Sequence, residues 1–143
     1  MNLTVPVSPA DSGRLTILVL ASTYPRWAED PEPGFVHELC KRLSLEHRII
    51  VICPHAAGAL TTEVLDGVEV TRYRYAPEKW EVLVNNGGIV NNLRRRPVMA
   101  FLLPGFIFFQ LWAAIRFARL HRVDAVHAHW LIPQGLIAAL IGR

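Results

Sequence analysis

The residues best equipped for chemistry lie close together: His127, His129 and Trp130, in the stretch DAVHAHWLIPQ at residues 124–134. An imidazole can donate, accept or carry a proton near neutral pH, and an indole offers a flat apolar face with one N–H. Side chains alternate along a strand, so His127 and His129 share one face while Val126 and Ala128 point to the other. The pattern then breaks at Trp130, Leu131 and Ile132. Pro133, with its fixed φ, suits the first turn of a helix that continues through small and aliphatic residues to 141. Both imidazoles and the indole thus come to a strand end facing a helix N-terminus, where open α/β sheets place ligands. The same pattern arises when one histidine only hydrogen-bonds a backbone carbonyl and the indole only fills a gap, and both readings stay open here.

Other chemistries are less well provided for. Zinc takes three or four ligands, and a His-x-His pair supplies two, so no metal is expected. No G-x-S-x-G appears, and Cys40 falls on the apolar stripe of a predicted helix, where a thiol is usually inert. Glu29, Asp30 and Glu32 lie in a proline-rich loop and read as a solvated face rather than a hydrolytic pair. That first loop carries Gly34 in place of G-x-G-x-x-G, and no glycine-rich turn ends in Lys-Ser or Lys-Thr, which argues against a dinucleotide or P-loop site. Gly34, just before Phe35, can still let an anionic or hydroxylated ligand approach the amides of a first helical turn, and it reads equally as a plain glycine at a helix start. Tyr24, Arg26 and Trp27 share this loop and are placed to line a cleft.

The elements needed to hold these groups follow from periodicity. Residues 15–21, LTILVLA, form an unbroken aliphatic run, as in a parallel strand covered on both faces. After the loop, Phe35, Val36, Leu39, Cys40 and Leu43 share one helical face, with His37, Glu38, Lys41 and Arg42 opposite. Residues 48–53, RIIVIC, complete a βαβ unit. Alternation over 68–75 after Asp66-Gly67 predicts a short hairpin or edge strand. Residues 76–97 offer no firm element and read as a surface loop. Residues 98–115, running on to Leu120, are the most hydrophobic part. Pro104-Gly105 interrupts them and they fall just short of a bilayer crossing, so they predict a core helix with a surface-seeking first half. Residues 123–128 form the next strand.

The 143 residues, 52% hydrophobic and 19% charged, suffice for one core. The formal charge is +3, with Arg94, Arg95, Arg96, Arg116, Arg119 and Arg122 gathered in the second half. That distribution fits an anionic membrane surface or phosphate-bearing substrates better than nucleic acid. The two cysteines suggest neither a CxxC pair nor a disulfide framework, so a reduced, cytoplasmic setting is expected. Residues 1–14 lack a signal-peptide pattern and read as a disordered leader, leaving 15–143 as the domain. The apolar faces that would remain uncovered after the last helix suggest a truncated domain.

These stretches together carry a resemblance. LTILVLASTYPR, GFVHELCKRL, HRIIVICPH, DGVEVTRYRYAPEKWE, GGIVNNLRRRP and DAVHAHWLIPQGLIA stand in an order and spacing similar to the N-terminal half of a family 4 glycosyltransferase, the two-domain GT-B architecture. The resemblance implies an α/β fold with a Rossmann-like parallel sheet flanked by helices, incomplete at its C-terminus. It implies that this domain faces the acceptor, a glycan or a lipid-linked sugar, while a missing C-terminal domain binds the nucleotide-sugar donor, with transfer in the cleft between them and the anomeric configuration retained. It further implies that Gly34 borders the cleft, that His129, Trp130 and Gln134 form its acceptor-side wall, and that Tyr24 and Arg26 lie near by. Arg94, Arg95 and Arg96 with the apolar 98–120 region would lean on the inner face of the cell membrane. The chain departs from the family in having Gly34 where relatives often carry two adjacent glycines, and Leu45-Glu46-His47 where many have a glycine. The family's catalytic groups would fall beyond Arg143, so no catalytic residue is expected within the chain, no cofactor beyond the donor itself, and no activity from the chain alone. A different reading is a non-catalytic acceptor-binding or membrane-recruiting subunit paired with a separate donor-binding chain.

Overall fold

The computed structural model describes residues 13–30, 34–85 and 87–142. Most of the expected leader lies outside these; within it, the Arg14 guanidinium donates to the carbonyls of Ser44 and Leu45. Five strands form one mixed, mostly parallel sheet, flanked by helices and compatible with a Rossmann-like fold. β1 (Thr16–Leu20), β2 (Arg48–Pro54), β4 (Val68–Tyr73) and β5 (Ala125–Ala128) run parallel, and β3 (Thr62–Leu65) is antiparallel to β4. The order is β3-β4-β2-β1-β5. The hairpin turns at Asp66 and Gly67, both at positive φ as a type I′ turn requires. β4 is not an edge strand: it pairs with β2 and leaves the margin to β3.

Alternation sorts the residues of β1 and β2 onto two cores. Val19, Ala21, Ile49, Val51 and Cys53 face α1 (Phe35–Leu43), while Leu18, Leu20, Ile50 and Ile52 face α3 (Leu103–Leu120) and α4 (Leu136–Ile141). The apolar stripe of α1 is narrower than its sequence suggests. Val36 and Cys40 are buried, but Phe35 is 58% and Leu39 38% exposed, because they lie one position round the helix, beyond the sheet beneath. Burial pushes the Cys40 thiol up to about 11 and the Cys53 thiol to about 12, and both are unpaired. Asp30, expected on a solvated face, is buried and takes two bonds from the Arg26 guanidinium, at 2.7 and 2.8 Å.

Residues 76–97 are better ordered than a surface loop. They contain a 3-10 turn at Glu78–Trp80 and the helix α2 (Gly88–Arg95). Ile89 and Leu93, one turn apart, pack on the core, and the Asn92 amide donates to the carbonyls of Val82, Leu83 and Asn85. Glu81, fully buried, anchors the stretch: its carboxylate lies 2.5 Å from His55 Nδ1 and accepts from Arg74 Nε at 2.8 Å and from the Tyr75 amide at 3.2 Å.

A 3-10 segment, Pro97–Leu102, leads directly into α3. Pro104 does not break the run, because it sits in the first turn of α3, where no amide partner is needed. Gly105 is held close to the Tyr75 carbonyl, which a Cβ would approach to 3.1 Å. The helix is less buried than the reading as a core helix implies. Phe106, Gln110 and Ala114, spaced by four, form the one fully buried line among its described residues, and Phe108 and Trp112 are more than half exposed. Helical backbone begins at Pro133 as expected: Ile132 before it is extended (φ −131, ψ 128), and a wider helical turn through Gly135 leads into α4 at Leu136.

These burials make a direct test. Phe106→Ala should cost about 3–5 kcal/mol in urea unfolding through the cavity it leaves, whereas Phe108→Ala should stay within about 0.5 kcal/mol. Equal losses would contradict the assigned orientation of α3.

Candidate functional site

The site is built where the chain changes direction across the sheet. From β1 it passes through α1 to β2 on one side, and β5, reached through α3 on the opposite face, pairs with the other side of β1. Chain leaving β1 and β5 at their carboxyl ends must therefore part to opposite faces, and a crevice opens between them. The backbone is fixed up to its rim: the His129 amide donates to the Leu20 carbonyl at 3.1 Å, and the Ala21 amide to the Ile52 carbonyl at 3.1 Å.

A cleft of about 500 Å³ occupies this crevice, lined by Ser22 and Thr23 after β1, Trp130 and Ile132 after β5, Phe35 at the start of α1, and Gly87 to Val90 at the start of α2. That volume falls within the range of small-molecule sites. Trp130 is 49% exposed, so its indole face is available. His129 sits just behind Phe35, ring edge to ring face at 6.2 Å between centroids, and stacks on His127 at 4.5 Å. Its Nε2 is closed off from solvent and has no hydrogen-bond partner among the described residues. Gly34 is exposed beside Phe35, with open space where a Cβ would stand. Neither α1 nor α2 has a side-chain cap, so among the described residues no side chain takes up the first-turn amides of these helices near the cleft.

Not all of the expected residues meet here. Gln134 is fully buried rather than part of the wall. Its amide donates to Gln110 Oε1 at 3.3 Å, and the Gln110 amide reaches the Ala21 carbonyl at 3.5 Å. The extended Ile132 swings the chain so that the following turn points Gln134 inward. Tyr24 and Arg26 line a separate hollow of about 20 Å³, room for one water, which shares Ser22 and Thr23 with the cleft. The Tyr24 phenol is 2.7 Å from His37 Nδ1, and burial raises its pKa well above 10. Arg94, Arg95 and Arg96 are exposed at the far end of α2. Among the described residues no three His, Cys, Asp or Glu side chains gather to hold a metal ion.

The sequence reading missed Gly87 and Gly88, whose φ values of 116° and 82° favour glycine and turn the chain into α2 beside the cleft. Two adjacent glycines followed by apolar residues one turn apart, Ile89 and Leu93, were the available signal. It also missed Phe35, which looked like core because α1's periodicity cannot show where the sheet beneath it stops.

His129 is held mainly neutral: loss of water lowers its pKa below 6.5, and the neighbouring His127 lowers it further. The folded state thus binds fewer protons than the unfolded chain below about 6.5, so this group makes stability rise with pH there and fall as the solution is acidified. In an NMR titration the His129 ring should have its midpoint below 6.5, and His127→Gln should raise that midpoint without restoring 6.5, since desolvation is the larger cause. A midpoint above 6.5 would contradict this. Comparison of the chain with protein-family models, with curated proteins and with solved structures gives no match.

Proposed function

We propose that this chain is the acceptor-side domain of a retaining glycosyltransferase of GT-B architecture, moving a sugar from a nucleotide donor to a glycan or lipid-linked acceptor. The observation that carries the reading is the cleft at the carboxyl ends of β1 and β5, lined by the aromatic side chains of Phe35 and Trp130, with His129 just behind Phe35. A sugar presents an apolar C–H face that stacks on an indole and hydroxyls that bond to polar groups such as Ser22 and Thr23 at the same rim, so this wall matches a glycoside. With no side-chain cap on either helix, the first-turn amides of α1 and α2 favour a negative group at the same place, such as a phosphate of a lipid-linked acceptor.

In the transfer, the acceptor hydroxyl oxygen forms a bond to the anomeric carbon while the bond from that carbon to the donor phosphate breaks. The bonding electrons leave with the nucleoside diphosphate and the hydroxyl proton is released. The residues of this chain bind and orient the acceptor. Stabilising the departing diphosphate falls to a donor-binding domain, as a partner or a further part of the same protein.

The test is an NMR titration with two probes, monomeric octyl glucoside for the acceptor and UDP for the donor. The glycoside should shift the Trp130 indole and His129 ring signals, UDP should leave them in place, and Trp130→Ala, an exposed position, should abolish the glycoside response with the fold retained. UDP alone moving these signals, or neither probe doing so, would overturn the assignment to the acceptor side.

A further inference from the structure

Helix α2 joins two depressions. Its start, Gly88 to Val90, lines the cleft, and its end lines a second basin of about 320 Å³, walled by Val82, Asn85, Asn92, Arg95, Arg96 and Met99. The rise per residue puts Gly88 and Arg95 about 10 Å apart along the axis. The small hollow beside Tyr24 shares Ser22 and Thr23 with the cleft and Asn85 with the basin, so the three stand in one row along α2.

The basin differs from the hollow in charge. In the hollow, the guanidiniums of Arg26 and Arg72 are engaged by Asp30, Glu63 and the carbonyls of Pro25 and Leu60. In the basin, no hydrogen bond or ion pair engages the Arg95 or Arg96 side chain among the described residues, and no carboxylate stands in the walls. From Val82 to Val123 the chain has no Asp or Glu. Cations suit the C-terminal end of any helix. What makes a site of these two is the basin beside them and the amides that wall it. Asn92 Nδ2 donates to the carbonyls of Val82, Leu83 and Asn85, clamping the chain before α2 to the helix, and Asn85 Nδ2 donates to the Glu81 carbonyl. Carbonyls only accept, so both amide nitrogens are fixed on the protein and both Oδ1 atoms are left to accept from a ligand.

Two forked cations beside two fixed acceptors are complementary to a molecule that carries an oxyanion together with hydroxyls. We propose that the basin is an anion subsite for an acidic acceptor: an oligosaccharide that stacks one end on Trp130 and lays a carboxylate or phosphate, about 10 Å away, against Arg95 and Arg96. Arg94 does not line the basin and takes no part. The assignment rests on the reading of the cleft as the seat of the acceptor, but the subsite itself uses none of the cleft residues.

The test is an NMR titration of the 143-residue chain, following the side-chain signals of Arg95, Arg96, Asn92 and Trp130. Hyaluronan tetrasaccharide serves as the acidic probe and chitotetraose as a neutral one of equal length. The acidic probe should shift all four signals and bind more weakly at high salt; chitotetraose should shift Trp130 alone. The Arg95→Gln/Arg96→Gln variant, altered only at exposed positions, should weaken the acidic probe about tenfold or more and leave chitotetraose unchanged. Arg94→Gln should alter neither, whereas a diffuse basic surface would lose as much from it. Glucuronate and glucose 6-phosphate, added separately, show which oxyanion the basin prefers. A shift of Arg95 and Asn92 by either of them, with Trp130 indifferent to every sugar, would uphold the subsite and overturn the reading of the cleft. Equal binding of both tetrasaccharides, an equal loss from Arg94→Gln, or a response only to monomeric dihexanoyl phosphatidylglycerol would each overturn the subsite.

Discussion

Strand β1 is hydrogen-bonded on both sides, to β2 and to β5, and Leu18, Val19 and Leu20 are fully buried. A strand covered on both faces and flanked on both edges fixes the two helical layers at once, and the connections to its neighbours must leave on opposite faces. The cleft is therefore a consequence of topology before it is a consequence of any side chain. What the side chains add is its lining: Phe35 beyond the edge of the sheet, Trp130 after β5, and a pair of glycines turning the chain into α2.

Buried polar groups hold the surroundings of that cleft in register. Glu81 gathers His55, Arg74 and the Tyr75 amide, tying the chain after β2 to the chain after β4. Gln134, Gln110 and the Ala21 carbonyl form a second chain of contacts, linking the turn before α4, the middle of α3 and the end of β1. Removing one member of such a set leaves its partners buried without compensation, which makes these groups positioning residues rather than passive filling.

Much of this architecture could be read from the residues alone. The aliphatic runs at 15–21 and 48–53 can lie only in the interior, and Asp66-Gly67 between alternating stretches specifies its turn. Helix α2 was not legible because its Asn and Arg content resembles a loop, and its stability comes from what Ile89, Leu93 and Asn92 touch in distant segments. For the site, His129 and Trp130 emerge at the strand end as alternation requires. Gln134 could not be placed, since an extended Ile132 interrupts the helical period through which its direction would be inferred. Phe35 and Leu39 show the complementary limit: a helical stripe tells which residues share a side, not how wide the layer beneath it is.

The amide of Gln110 belongs to the same helix that bears Phe108 and Trp112, and it ends on the Ala21 carbonyl, next to Ser22 at the rim of the cleft. A rigid rod thus connects the outer surface to the mouth of the crevice through one polar contact. Replacing Gln110 would therefore leave the Ala21 carbonyl, beside the rim, and the Gln134 amide, before α4, without these buried partners at once.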